Sequence, residues 1–104
     1  MEAPKAAFVA AFLFLVAGAA AHADPEAGRK KAAACVTCHG PDGNSASGEY
    51  PILAGQTARY IYLELKDFKE GKRTNDAGTM ASLSKTLSDD DVVNLAQYLT
   101  TLEP

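Results

Sequence analysis

Cys35-Val36-Thr37-Cys38-His39 is the stretch on which the reading of this chain turns. It is a C-x-x-C-H pentapeptide, the attachment signature of a c-type haem. The spacing has a chemical cause. Two thiols three residues apart each add to one vinyl group of a porphyrin, and a His directly after the second is then held under the ring, where its imidazole reaches the iron. The competing chemistries lack ligands or context. A zinc site takes four N or S ligands, whereas beyond residue 23 the chain carries two Cys, His39 and no further Cys or His. A thioredoxin-like pair belongs at a strand-to-helix junction of an α/β pattern, and no convincing strand occurs here. A Cys35–Cys38 disulfide would close too short a loop to staple a fold and would leave His39 without a role.

On the N-terminal side, composition changes sharply. Residues 1–23 are hydrophobic at 18 of 23 positions, and the remaining 81 residues at only 31. Lys5 provides the positive start, weakened by Glu2; residues 6–21 are an uncharged apolar run, and Ala21-His22-Ala23 is an A-x-A cleavage site. The segment reads as an export signal, with Asp24 as the mature N-terminus. The rival reading is an uncleaved anchor, but the run of 16 residues is shorter than the ~20 a spanning helix needs. Export also places the chain where haem c is attached in bacteria.

Residues 24–104 are then a single domain. They carry 9 Lys+Arg against 12 Asp+Glu, which excludes a polybasic nucleic-acid binder. A core this small is marginal without a disulfide, a metal or a cofactor, and the pentapeptide supplies the candidate.

Three helices are expected, separated by two irregular stretches. The first starts at an Asp24 cap with Pro25 and Glu26 in its first turn and runs through Ala32, Ala33 and Ala34 toward Cys35. Gly28 inside it is costly unless something packs closely there. A loop rich in turn residues, 40–48, leads to Tyr50-Pro51-Ile52-Leu53. The second helix starts near Thr57, with Ile61, Leu65 and Phe68 as its apolar stripe, Tyr60, Tyr62 and Leu63 widening it, and Gly71 at its end. Residues 72–86 read as polar and irregular. The third helix opens with a Ser88/Asp91 capping box and buries Val92, Leu95, Ala96, Leu99 and Leu102. Asp89, Asp90 and Asp91 complement the helix dipole rather than form a metal site.

The second axial ligand of the iron follows by elimination. Among strong ligands, Cys35 and Cys38 are used, and His22 and Met1 leave with the signal, so Met80 remains. A lone Met is commonly core filler, but Met80 stands in a polar stretch and not on an apolar stripe. His39/Met80 ligation leaves no open coordination position, and a thioether favours Fe(II) and raises the potential. That describes a one-electron carrier and not an enzyme.

The chain resembles the class I cytochromes c, the small bacterial single-haem carriers and each half of the di-haem ones. The resemblance is carried by residues 31–45 around the pentapeptide, by Pro51-Ile52-Leu53-Ala54-Gly55-Gln56, by Gly71-Lys72-Arg73, by Met80 through Asp89, and by Leu95-Ala96-Gln97-Tyr98-Leu99. It implies an all-α fold, three main helices with long loops packed around one haem c held by thioethers from Cys35 and Cys38. It implies His39 as proximal and Met80 as distal ligand, with the Pro51 carbonyl accepting a hydrogen bond from His39 Nδ1. Ile52 and Leu53 would line the haem, and Gly28 would let the first and third helices cross closely against Tyr98. Gln56, Arg59, Tyr60 and Arg73 are candidate haem-propionate partners. One position departs from the pattern: Ala81 stands where Pro often follows the ligand Met.

The expected role is a periplasmic carrier, monomeric, shuttling between respiratory redox proteins. Its net charge suits partners with basic docking patches. Two alternatives share the same residues: a tightly bound electron-transfer subunit of a larger oxidoreductase, or a haem sensor or peroxidase-like enzyme with Met80 off the iron.

Overall fold

The computed structural model describes residues 23–74 and 76–104, and within them the chain is helical, with no strand. Most of the expected export signal therefore lies outside the described residues. The elements are α1 (Pro25–Lys31), a 3₁₀ turn (Ala32–Ala34), α2 (Val36–His39), α3 (Ala58–Lys69), α4 (Thr79–Ser84) and α5 (Asp89–Leu99). None of them is long and apolar enough to cross a membrane.

α1 begins where the sequence places it. The Asp24 carboxylate accepts from Glu26 N (3.0 Å) and Ala27 N (3.3 Å), satisfying donors that a helix start leaves open. Its own N–H donates to Asn94 Oδ1 at 2.8 Å, which ties the start of α1 to α5. Gly28 marks the crossing of these two helices. A Cβ there would stand 2.1 Å from the Asn94 carbonyl oxygen and 2.9 Å from Tyr98 Cβ. The helix penalty of glycine is thus offset by a backbone approach that no side chain permits. The expected continuous first helix instead tightens into the 3₁₀ turn before the pentapeptide.

α3 is capped by Thr57, whose hydroxyl accepts from Tyr60 N at 3.2 Å, and it ends before Gly71, at φ 75°. Ile61 and Phe68 are buried. Leu65 and Tyr62 are half-buried and pack against the cluster of Ile61, Ala96 and Leu99. Tyr60 and Leu63 do not join the stripe: they are 49% and 42% exposed.

α5 carries the reciprocal cap read from the sequence. Ser88 Oγ accepts from Asp91 N (3.0 Å), and Asp91 Oδ2 accepts from Ser88 N (2.9 Å). The Ser88 amide is the chief reason the Asp91 carboxyl lies below its ordinary value. Val92, Leu95, Ala96 and Leu99 form the buried face. Asp89 does more than complement the dipole, since its carboxylate pairs with Lys66 (3.0 Å) and Lys69 (3.4 Å) across to α3.

The second irregular stretch also differs from expectation. Residues 79–84 form a helix, α4, packed against α3. Among the described residues only Ile61, Phe68, Val92, Leu95 and Leu99 are buried side chains larger than alanine and apolar. For a domain of this length that is a thin core, as the small mature length anticipates.

Candidate functional site

The pentapeptide occupies one helical turn. Cys35 is the N-cap of α2, and His39 N–H donates to Cys35 O at 2.9 Å. Residues i and i+3 of a helix share a face, so the turn presents both thiols together. Both are half-buried, with no disulfide between them. Burial, and then the neighbouring Cys38, push the Cys35 thiol up. The charge of Cys38, its hydrogen bond, and Glu49 push the Tyr50 phenol up.

Gly40 ends the turn at φ 87°, and a Cβ on it would meet the Asn44 carbonyl oxygen at 2.5 Å. The chain reverses here into the loop. The Gly43 carbonyl accepts from both Leu53 N (2.8 Å) and Ala54 N (3.1 Å). Asn44 Nδ2 donates to Glu103 O (2.8 Å), and Gly55 N donates to Leu99 O (3.2 Å). These bonds fold the Pro51–Leu53 segment back onto the motif and onto the end of α5.

Their consequence is at His39. The ring is 7% exposed, and Nδ1 lies 2.8 Å from the Pro51 carbonyl oxygen. A carbonyl only accepts, so Nδ1 is the donor, and in the neutral ring the lone pair is then on Nε2. Tyr50 packs edge-on, its ring centroid 6.2 Å from that of His39. The imidazole is thereby fixed in orientation and tautomer, as a metal-ligating His is by a carbonyl partner.

Met80 is the second residue of α4 and is half-buried. Its N–H donates to Asp76 Oδ2 at 2.8 Å, and the other oxygen of that carboxylate accepts from Gly78 N at 3.1 Å. Gly78 itself is at φ 92°. The role of Asp76 was not read from the sequence. The signal was there: an Asp two residues before a Gly and four before the Met is a turn-and-cap pattern.

A cavity of about 290 Å³ lies beside the motif, bordered by Cys35, Val36, His39, Leu53 and Leu99. Cys38, Pro51, Ile52 and Met80 do not border it. Val36, Tyr50, Ile52, Tyr60, Leu63 and Leu83 are all at least 36% exposed. Among the described residues no three His, Cys, Asp or Glu side chains could hold a bare metal ion. Two thiols on one helical turn, followed by an oriented imidazole, are the donors that a covalently attached metal-bearing ring would need. Of the candidate propionate partners, Gln56 Nε2 donates to Ile52 O (3.3 Å), while Arg73 pairs with Glu64 (2.7 Å) and stacks 4.5 Å over the Phe68 ring.

Comparison with known proteins gives a consistent picture. Residues 25–103 match the family model described as cytochrome c. The chain is 48% identical over 80 residues to cytochrome c4 of Pseudomonas aeruginosa, covering 75% of this chain and 39% of that protein. It is 37% identical over 81 residues to cytochrome c-554(548) of Halomonas halodenitrificans, covering 77% of this chain and 98% of that protein. Among solved structures, reduced recombinant cytochrome c4 from Pseudomonas stutzeri superposes with a TM-score of 0.72 at 32% identity, covering 79% of this chain and 51% of that chain. The chain thus spans about two fifths to one half of these cytochrome c4 relatives and nearly all of cytochrome c-554(548).

Proposed function

The chain belongs to the cytochrome c family, and from that premise we propose that it is a periplasmic single-haem electron carrier with His39 and Met80 as the axial ligands. Residues 1–23 are the export signal, and the mature domain, residues 24–104, begins at Asp24. The observation that carries the reading is the His39 imidazole. It is buried, with Nδ1 held 2.8 Å from the Pro51 carbonyl, and it follows directly on two free thiols in one helical turn.

Cys35 and Cys38 hold the haem c through two thioethers, and Ile52 and Leu53 line it. When bound, the haem supplies an Fe(III)/Fe(II) couple. The residues of the chain decide how that couple is used. The Pro51 carbonyl raises the basicity of His39 and prevents ring rotation. The Met80 thioether favours Fe(II) and raises the potential. With both axial positions filled by side chains, no position is left for oxygen or a substrate. The role is therefore transfer of electrons between redox proteins, not catalysis. The mature net charge favours partners with basic docking patches, with rates that fall as salt rises.

The test is the optical spectrum of the oxidised protein matured in a periplasm, together with Met80→Ala. A weak far-red band marks a Met sulfur–Fe(III) bond. Met80→Ala is expected to keep the haem attached, abolish that band and lower the potential on the order of 100 mV or more. Haem bands with no far-red band in the parent would favour a sensor or peroxidase-like reading. An unchanged potential in the variant would make Met80 core filler. Mass spectrometry of the purified protein, expected to begin at Asp24, tests the signal.

A further inference from the structure

We infer that Asp76 is a positioning residue for the Met80 thioether, and that its carboxylate does the work that a proline after the methionine would otherwise do. The inference rests on Met80 being the distal ligand, as proposed above.

Met80 sits one residue inside α4, a helix of six residues. A helix this short does not hold its geometry by itself, and Ala81 leaves the backbone after Met80 without the fixed φ of proline. Gly78, the N-cap residue, offers no side-chain cap. The first turn is held from outside the helix instead. One Asp76 carboxylate reaches two backbone donors, Gly78 N at 3.1 Å and Met80 N at 2.8 Å. The second of these is the amide of the residue that carries the thioether. Ser82 N donates back to Gly78 O at 3.0 Å, closing the turn that Asp76 starts. Since N1 to N3 amides of a helix have no partner of their own, a charged acceptor here orders the first turn and, with it, the Cα from which the Met80 side chain springs. At the other end of α4, Ser84 is fully buried. α4 is therefore anchored by burial at its C-terminal end and by Asp76 at the ligand end.

A residue that merely caps a helix lowers overall stability when lost. A residue that positions Met80 must also ease displacement of the thioether from the iron. The two are separated by titrating imidazole into the oxidised holoprotein and following loss of the far-red band, with guanidinium unfolding measured in parallel. Asp76→Ala, Asp76→Asn and Ser88→Ala are compared with the parent. Ser88→Ala removes a cap of similar strength on α5, away from Met80.

Asp76→Ala is expected to bind imidazole about fivefold more tightly than the parent, the size of one helix-cap interaction expressed as a ratio of affinities. Asp76→Asn, which keeps one acceptor oxygen, should fall between. Ser88→Ala should lower the unfolding midpoint with imidazole affinity within about 1.5-fold of the parent. If Asp76→Ala leaves imidazole affinity unchanged, or if Ser88→Ala raises it equally, Asp76 is only a cap and the inference is overturned. If Asp76→Ala does not accumulate, Asp76→Asn alone decides by the same criterion. Absence of the far-red band in the parent is a separate result, seen before any variant is made; it removes the ligand assignment and this inference with it.

Discussion

The His39 and Met80 sides of this molecule are built to different standards. His39 is buried, and its ring is held by a carbonyl from a loop that is itself bonded to Gly43 and to Leu99 at the end of α5. Met80 is half-buried on a six-residue helix whose first turn depends on one exposed carboxylate. The His39 ring is held by a bond that spans 12 residues of sequence, whereas the hydrogen bonds at the first turn of α4 reach no more than four, its packing against α3 being left to the rest of the helix. Local anchors yield at lower free energy than contacts tied to the global fold. With Met80 as the iron ligand proposed above, the Fe–S bond should be the first to open under stress, while the His39 side holds until the domain unfolds.

The largest effect should come from breaking the proximal attachment. Cys35→Ala with Cys38→Ala should give little folded protein, because the polypeptide buries so few large apolar side chains of its own. Far-UV circular dichroism of the purified variant checks this. A stable haem-free fold would mean that the packing of α1, α3 and α5 suffices without the prosthetic group.

On the distal side, Ser84→Ala sharpens the comparison in the opposite direction. Among the described residues Ser84 Oγ is buried and has no hydrogen-bond partner, and such a group is a liability of about 1 kcal/mol or more. The substitution should raise the guanidinium midpoint by about 1 kcal/mol in free energy. A loss of stability instead would show that the hydroxyl has a partner, such as a bound water, and that α4 is better anchored than its protein contacts indicate.

The smallest effect concerns acid. Asp91 has its carboxyl lowered, first by the Ser88 amide and also by Lys31. A depressed carboxylate stabilises the fold above its unfolded value, near 3.8, and that contribution is lost as pH falls through the lower folded value. Asp91→Asn should therefore lower stability by about 0.5 kcal/mol at pH 7 and flatten the decline below pH 4. Unfolding curves at pH 7 and pH 3 test it. Because α5 supports the proximal side, the far-red band should persist in this variant at neutral pH.

Much of the frame was legible in the sequence because its signals are local. The Asp24 cap of α1, the Thr57 start of α3 and the Ser88/Asp91 box are side chains bonding to amides two or three residues away. The buried face of α5 follows from helical periodicity alone. The resemblance to class I cytochromes c supplied the long-range contacts, among them Gly28 against Tyr98 and His39 against Pro51. Three features escaped. α4 was hidden because Thr79-Met80-Ala81-Ser82 has no apolar period and its cap, Asp76, lies three residues before the helix. Tyr60 and Leu63 were assigned to the α3 stripe because their spacing permits it, yet α5 and α4 do not cover that side. Asp89 was read as a dipole complement, since nothing local points to Lys66 and Lys69 more than 19 residues earlier.

The sequence by itself determined where α1, α3 and α5 start and the haem attachment chemistry, since each of these depends on residue type at fixed short spacing. Only the tertiary structure decided which carboxylate holds the Met80 turn, which lysines Asp89 meets and which side of α3 stays open. Those choices depend on how segments far apart in the chain, or a turn that periodicity does not mark, come together in space.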